Sequence, residues 1–139
     1  MANKYQNQTR IIIGDLNKFT GKIITALSLE ITALLIEVTP VATGWARANW
    51  VPSIGHSSNV PATFAGGTPT PGEVKAKEAE QAAGMAGVLG YKLGRGSVFI
   101  SNNVTYITLL NDGSSPKAPK MFVQASIHRG LTAVERRFS

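Results

Sequence analysis

The feature that most constrains this chain is an apolar stripe with a definite stop. Over residues 15–38, Leu16, Phe19, Ile23, Leu27, Ile31, Leu34 and Val38 follow one another at spacings of 3, 4, 4, 4, 3 and 4. That is the period of one helix face, and it predicts a long amphipathic helix. Thr39-Pro40 ends it, because proline disfavours the helical region for the residue before it and has no backbone N–H to donate. Leu29 and Ile36 fall nearly opposite the stripe, on the face that carries Lys18 and Lys22. They are either two isolated exposed apolar residues, which is ordinary, or a contact with a neighbouring subunit.

A second stripe closes the chain. Pro119 is expected to open a final helix, with Val123, Ile127, Leu131, Val134 and Phe138 at spacings of 4, 4, 3 and 4. Between the two helices, Trp45-Ala46-Arg47-Ala48-Asn49-Trp50-Val51 reads as a strand or the start of one, with Trp45, Arg47 and Asn49 on one face. Residues 52–72 hold four prolines (Pro52, Pro61, Pro69 and Pro71) and are expected to form a long exposed loop. A helix over 71–89 follows, with Thr70 as N-cap, Pro71 at the first helical position and Glu73 completing a capping box. Its glycines at 84, 87 and 90 each weaken it, so it is either marginal or packed closely on something. Lys92-Leu93-Gly94-Arg95-Gly96 reads as a basic turn and Ser97 to Ser101 as a short strand. The run Tyr106 to Leu110 is left open between helix and strand. Two helices bracketing a small antiparallel sheet, with a long loop and an inserted Ala/Gly-rich helix, make a single α+β domain over 1–139.

Composition narrows function. The chain of 139 residues has no cysteine, which removes thiolate metal sites, disulfides and cysteine nucleophiles. Residues 1–10 are polar, lack a signal-peptide core and are expected to be a flexible N-terminus. Residues 23–38 are interrupted by Thr25, Ser28, Glu30, Thr32 and Glu37, so no membrane span is expected. Fourteen basic against eight acidic residues give a net charge of +6. Residues 1–70 carry five basic and three acidic groups (+2), and residues 71–139 nine and five (+4). Such a bias suits a nucleic-acid footprint, an acidic partner or solubility.

Catalytic and cofactor signatures fail on spacing. Six residues separate Gly14 from Gly21 where a P-loop needs four, and Ile23 stands where the magnesium-binding hydroxyl belongs. Gly94-Arg95-Gly96 lacks the third glycine of a dinucleotide fingerprint. His56 and His128 have no ligand-like spacing to each other or to a carboxylate. No catalytic, cofactor-binding or metal-binding residue is assigned, and no enzyme activity is expected.

Two motifs carry the positive signal. Thr39-Pro40-Val41-Ala42-Thr43-Gly44-Trp45-Ala46-Arg47-Ala48-Asn49-Trp50 resembles the TPVxTGxxRxNW segment of phage minor tail and tail-completion proteins. Val98-Phe99-Ile100-Ser101-Asn102-Asn103-Val104-Thr105-Tyr106, followed by Leu110, Gly113, Ser114, Ala118, Pro119, Met121 and Val123, resembles the second signature of that family. With the flanking helices, the resemblance spans most of residues 10–138. Ala42, Thr105, Asn111 and Lys120 depart from the pattern, which often has an acid, a proline, an acid and a glycine there. The resemblance implies a structural virion protein of the tail neck, assembled in the host cytoplasm as a ring, usually of six copies. Its implied partners are the tail tube or tail terminator and the head connector, with genomic DNA crossing the lumen. On this reading Leu29, Ile36, Trp45 and Arg47 are interface candidates, since Trp and Arg are enriched at hot spots. Lys92, Arg95, Lys117 and Lys120 are candidates for contact with DNA in the lumen or with an acidic partner. Trp50 and Tyr106 are read as core. The alternative is a small basic nucleic-acid-binding module, in which Arg136 and Arg137 join those four in a phosphate-facing patch.

Overall fold

The computed structural model describes residues 3–139 except 42–43, 59–61, 63–65 and 118. In chain order the described elements are α1 (Lys4–Val38), α2 (Trp45–Ala48), β1 (Val51–Ile54), α3 (Pro71–Leu89), β2 (Val98–Ser101), α4 (Ile107–Asn111) and α5 (Phe122–Phe138). The architecture is α+β, as the two stripes predict. The sheet is the antiparallel pair β1 and β2, with Val51 opposite Ser101 and Ile54 opposite Val98.

Helix α1 begins eleven residues before the predicted start and takes in most of the N-terminal segment. Asn3 caps it: its side chain accepts from the Gln6 backbone N–H at 2.9 Å, and the Gln6 side chain accepts from the Asn3 N–H at 2.9 Å. This box satisfies two otherwise unpaired groups of the first turn. At the far end, Thr39 turns out of the helix with ψ 131°. Its hydroxyl donates to the Leu35 carbonyl at 2.5 Å. Helix α1 is long and apolar enough to cross a membrane by length and composition alone, a test that a core helix also passes. A third of the qualifying stretch is buried against the rest of the chain, with Ile31, Leu34 and Leu35 in the core.

The core gathers Ile31 and Leu35 of α1, Trp50 and Phe122, with Ile36, Val38, Ile100, Ile107 and Val123 packed around them. Helix α5 runs antiparallel to α1, from Phe122 in this cluster to Phe138, whose ring meets that of Phe19 edge-on at 5.8 Å. Its buried line is Phe122, Ser126, Gly130 and Val134. The predicted stripe is therefore displaced, and Ile127 and Leu131 face outward. The cause is close approach at Gly130, where a Cβ would lie 2.5 Å from Ile31 Cγ1. A small residue lets the helices meet where a large one would hold them apart. The helix also starts later than Pro119. Met121 takes a left-handed φ of 62°, and the Asn111 side chain of α4 caps the new helix by accepting from the Val123 N–H at 2.9 Å.

The segment after Gly44 is helix, not strand. Gly44 adopts a left-handed φ of 81°, which turns the chain directly into α2. Strand β1 then takes in Pro52, which the sequence assigns to the loop. Proline is tolerated there because a two-stranded sheet consists only of edges. Helix α3 packs on β1 through Gly84, where a Cβ would come within 2.6 Å of the Pro52 carbonyl oxygen. Its predicted capping box is present: Thr70 Oγ1 accepts from the Glu73 N–H at 3.2 Å, and Glu73 accepts from the Thr70 N–H at 3.0 Å. Of the predicted loop, 52–54 belong to β1 and 71–72 to α3; 55–58, 62 and 66–70 lie between described elements, and 59–61 and 63–65 lie outside the described residues.

Candidate functional site

The two sequence motifs meet in one hydrogen-bonded corner. The Trp50 indole donates to Thr39 Oγ1 at 2.8 Å, so one threonine hydroxyl closes α1 and anchors the tryptophan. The Arg47 guanidinium donates to the carbonyls of Thr39 (Nε 3.3 Å, Nη2 3.1 Å) and Glu37 (Nη2 3.1 Å). A cation on the last carbonyls of a helix complements its dipole. From the second motif, Asn102 Nδ2 donates to the Ala46 carbonyl at 2.8 Å. The buried Gln81 of α3 donates to the carbonyls of Arg47 and Trp50, both at 2.9 Å. Ala42, Thr43 and Ala118 of the motifs lie outside the described residues.

This corner changes the role of three interface candidates. Trp45 is 2% exposed and belongs to the interior, because α2 turns it inward where a strand would have presented it. Arg47 is engaged by carbonyls of its own chain. Ile36 packs on the core cluster. Leu29 is half-buried and lines a groove. Trp50 is in the core as expected, whereas Tyr106 is 38% exposed, and its partial burial raises the phenol pKa above the ordinary 10.0.

Three surfaces stand open among the described residues. The first is the N-terminal half of α1. Beyond the Phe19–Phe138 contact, residues 4–18 continue as bare helix for about 22 Å. Tyr5 (76% exposed), Ile12 (58%) and Leu16 (58%) line one side of it, in phase with Phe19 (48%) at its base. Their spacings of 7, 4 and 3 extend the stripe that is buried further along. Residues 1–10 look polar in isolation, and only the helical phase places Tyr5 with Ile12 and Leu16.

The second is a groove of about 1000 Å³ between α1, the end of α3, the turn after it and the end of α5. Leu29, Met85, Leu89 and Leu93 give it an apolar lining, and Lys18, Lys22, Lys92 and Arg137 edge it, against the single carboxylate of Glu30. Among the described residues, none of these four cations is ion-paired. The third is a cleft of about 200 Å³ lined by motif residues Pro40, Gly44, Trp45, Ala46 and Tyr106 together with Lys117.

Two of the basic candidates, Lys92 and Lys117, line different cavities. Lys92 and Arg137 edge the groove, and Lys117 lines the cleft, with no lining residue in common. Lys120 is exposed and lays its stem beside Gly113, and Arg95 is exposed in the turn that Tyr91 closes by donating to the Gly96 carbonyl at 2.8 Å. Both histidines are exposed, and among the described residues no group of three His, Asp or Glu side chains is placed to hold a metal. Compared with known proteins, the chain matches no family model, no curated protein and no solved structure.

Proposed function

We propose that this chain is a structural subunit of a phage tail neck, of the tail-completion type, that works by assembling into a ring and performs no catalysis. The observation that carries the reading is the uncovered apolar side of α1 at Tyr5, Ile12 and Leu16. Full burial of each such side chain is worth about 1.5–3 kcal/mol, and a helix carrying three of them away from its own core has a strong drive to meet another chain. Closed rings use heterologous contacts, in which one surface of a subunit meets a different surface of the next. A projecting helix at one end and a compact body at the other suit that geometry. The two resembling motifs support the same reading, because their polar residues are spent on building one corner of the fold and leave the projecting surfaces to do the binding.

Under this proposal the ring closes the head-proximal end of the tail and presents docking faces to the tube or terminator and to the head connector. Genomic DNA passes through its lumen. The division of the basic groups between the groove and the cleft favours partner contacts over a continuous phosphate track, which a nucleic-acid-binding module would need. Native mass measurement of the purified chain tests the reading. A discrete multiple, six copies on the family pattern, supports it, and a monomer at every accessible concentration overturns it.

A further inference from the structure

We propose that the groove beside α1 is the docking site for an acidic amphipathic helix of a partner protein. This inference is independent of ring assembly, since it concerns a surface on the body of a single chain.

Shape gives the kind of occupant. The groove is open along one side and follows α1 from Asn17 to Ala33, sixteen helical steps or about 24 Å. That is the length of four to five helical turns, and too extended for a compact small molecule. Its apolar lining comes from separated elements: Leu29 from α1, Met85 and Leu89 from α3, and Leu93 from the turn that follows. Leu89 and Leu93 are exposed in the free chain. Helices dock into such troughs by laying apolar residues at i, i+3, i+4 and i+7 along the floor.

Charge gives the chemistry. Lys18, Lys22, Lys92 and Arg137 face the trough with only Glu30 opposing them, leaving three uncompensated positive charges at its edge. A helix with acidic residues flanking its apolar stripe meets these cations while its leucines fill the floor. The cations then steer association and select against basic helices. The projecting half of α1 from a second copy is a poor match. Residues 4–20 carry Lys4, Arg10 and Lys18 against Asp15, and would bring like charge to a basic edge. A nucleic-acid backbone is also a poor match, because it would leave the apolar floor uncovered.

The test is selection of a displayed library of random 16-residue peptides on the immobilised full chain, followed by fluorescence anisotropy of the leading peptide in synthetic form. Enriched peptides are expected to pair a helical apolar period with net negative charge. The leading peptide is expected to lose at least about tenfold in affinity for Lys22→Glu combined with Lys92→Glu, and to weaken as salt rises. Both positions are exposed, and circular dichroism confirms that the variant is folded. Leu29→Asp, which touches the floor and not the charges, is expected to abolish binding. Basic or neutral enriched peptides, no enrichment, or a leading peptide indifferent to these variants would each overturn the proposal. So would a groove-dependent attachment to phosphatidylglycerol vesicles without peptide binding, which would reassign the groove to lipid.

Discussion

At the scale of single residues, small side chains and one hydroxyl decide how closely the elements meet. Gly130 and Gly84 stand where a Cβ would strike Ile31 and the Pro52 carbonyl, whereas Gly87 has nothing within 4 Å. All three lie inside helices, where alanine is intrinsically better than glycine by about 1 kcal/mol. Substitution should therefore split by contact. Gly87→Ala is expected to raise stability by up to about 1 kcal/mol, and Gly130→Ala to lower it by about 1–3 kcal/mol, because Ile31 must leave a well-packed position. Urea titrations of the two variants check this, and equal effects would show that contact at Gly130 is not limiting. None of this is legible from composition, in which Gly84, Gly87 and Gly130 are one residue type in helical surroundings. Thr39 is similar. As a helix stop before proline it is predictable, but its joint service to Leu35 and to the Trp50 indole depends on where the chain returns after the turn.

At the scale of elements, period and breakers carry most of the information. The Thr39-Pro40 stop and the capping box on α3 follow from local chemistry and stand where they are expected, and the strand at Val98–Ser101 starts one residue after its expected start. What local chemistry misreads is phase and partnership. Helix α5 buries Phe122, Ser126, Gly130 and Val134 and not the larger residues beside them, since packing rewards close approach over side-chain size. Trp45 is turned inward by a helix of four residues, a length at which strand and helix patterns cannot be told apart. Leu29 and Ile36 look alike on a helical wheel, yet the fold wraps over one and leaves the other in a groove. They should therefore respond differently to a charge. Ile36→Asp is expected to destabilise the chain by at least about 2 kcal/mol through lost packing and a carboxylate against the core. Leu29→Asp should cost less than about 1 kcal/mol. Thermal melts of the two variants decide the matter, and similar melting temperatures would mean that both positions face the same environment.

At the scale of the whole molecule, the account is of a compact body from which half of one helix projects, with basic groups distributed over separate surfaces. The position of those charges in space was not readable from the sequence, where Lys92, Arg95, Lys117 and Lys120 merely share the more basic half. If they contact neighbouring proteins, replacing all four with serine should leave each subunit folded and assembled but reduce joined heads and tails, in a salt-sensitive way. Should they face the genome instead, joined particles would be normal in number and poorly infective. Electron-microscopic counts set beside infectivity distinguish these outcomes, and normal values for both would assign the charges to solubility. The projecting helix is the more decisive feature, because assembly is the proposed function and Ile12 and Leu16 are each 58% exposed. Sedimentation velocity of the wild type beside Ile12→Asp combined with Leu16→Asp tests it most directly. The account predicts a discrete multimer for the wild type and a monomer with an unchanged circular dichroism spectrum for the variant. A variant that sediments as the same multimer, or a wild type that stays monomeric throughout, would contradict it.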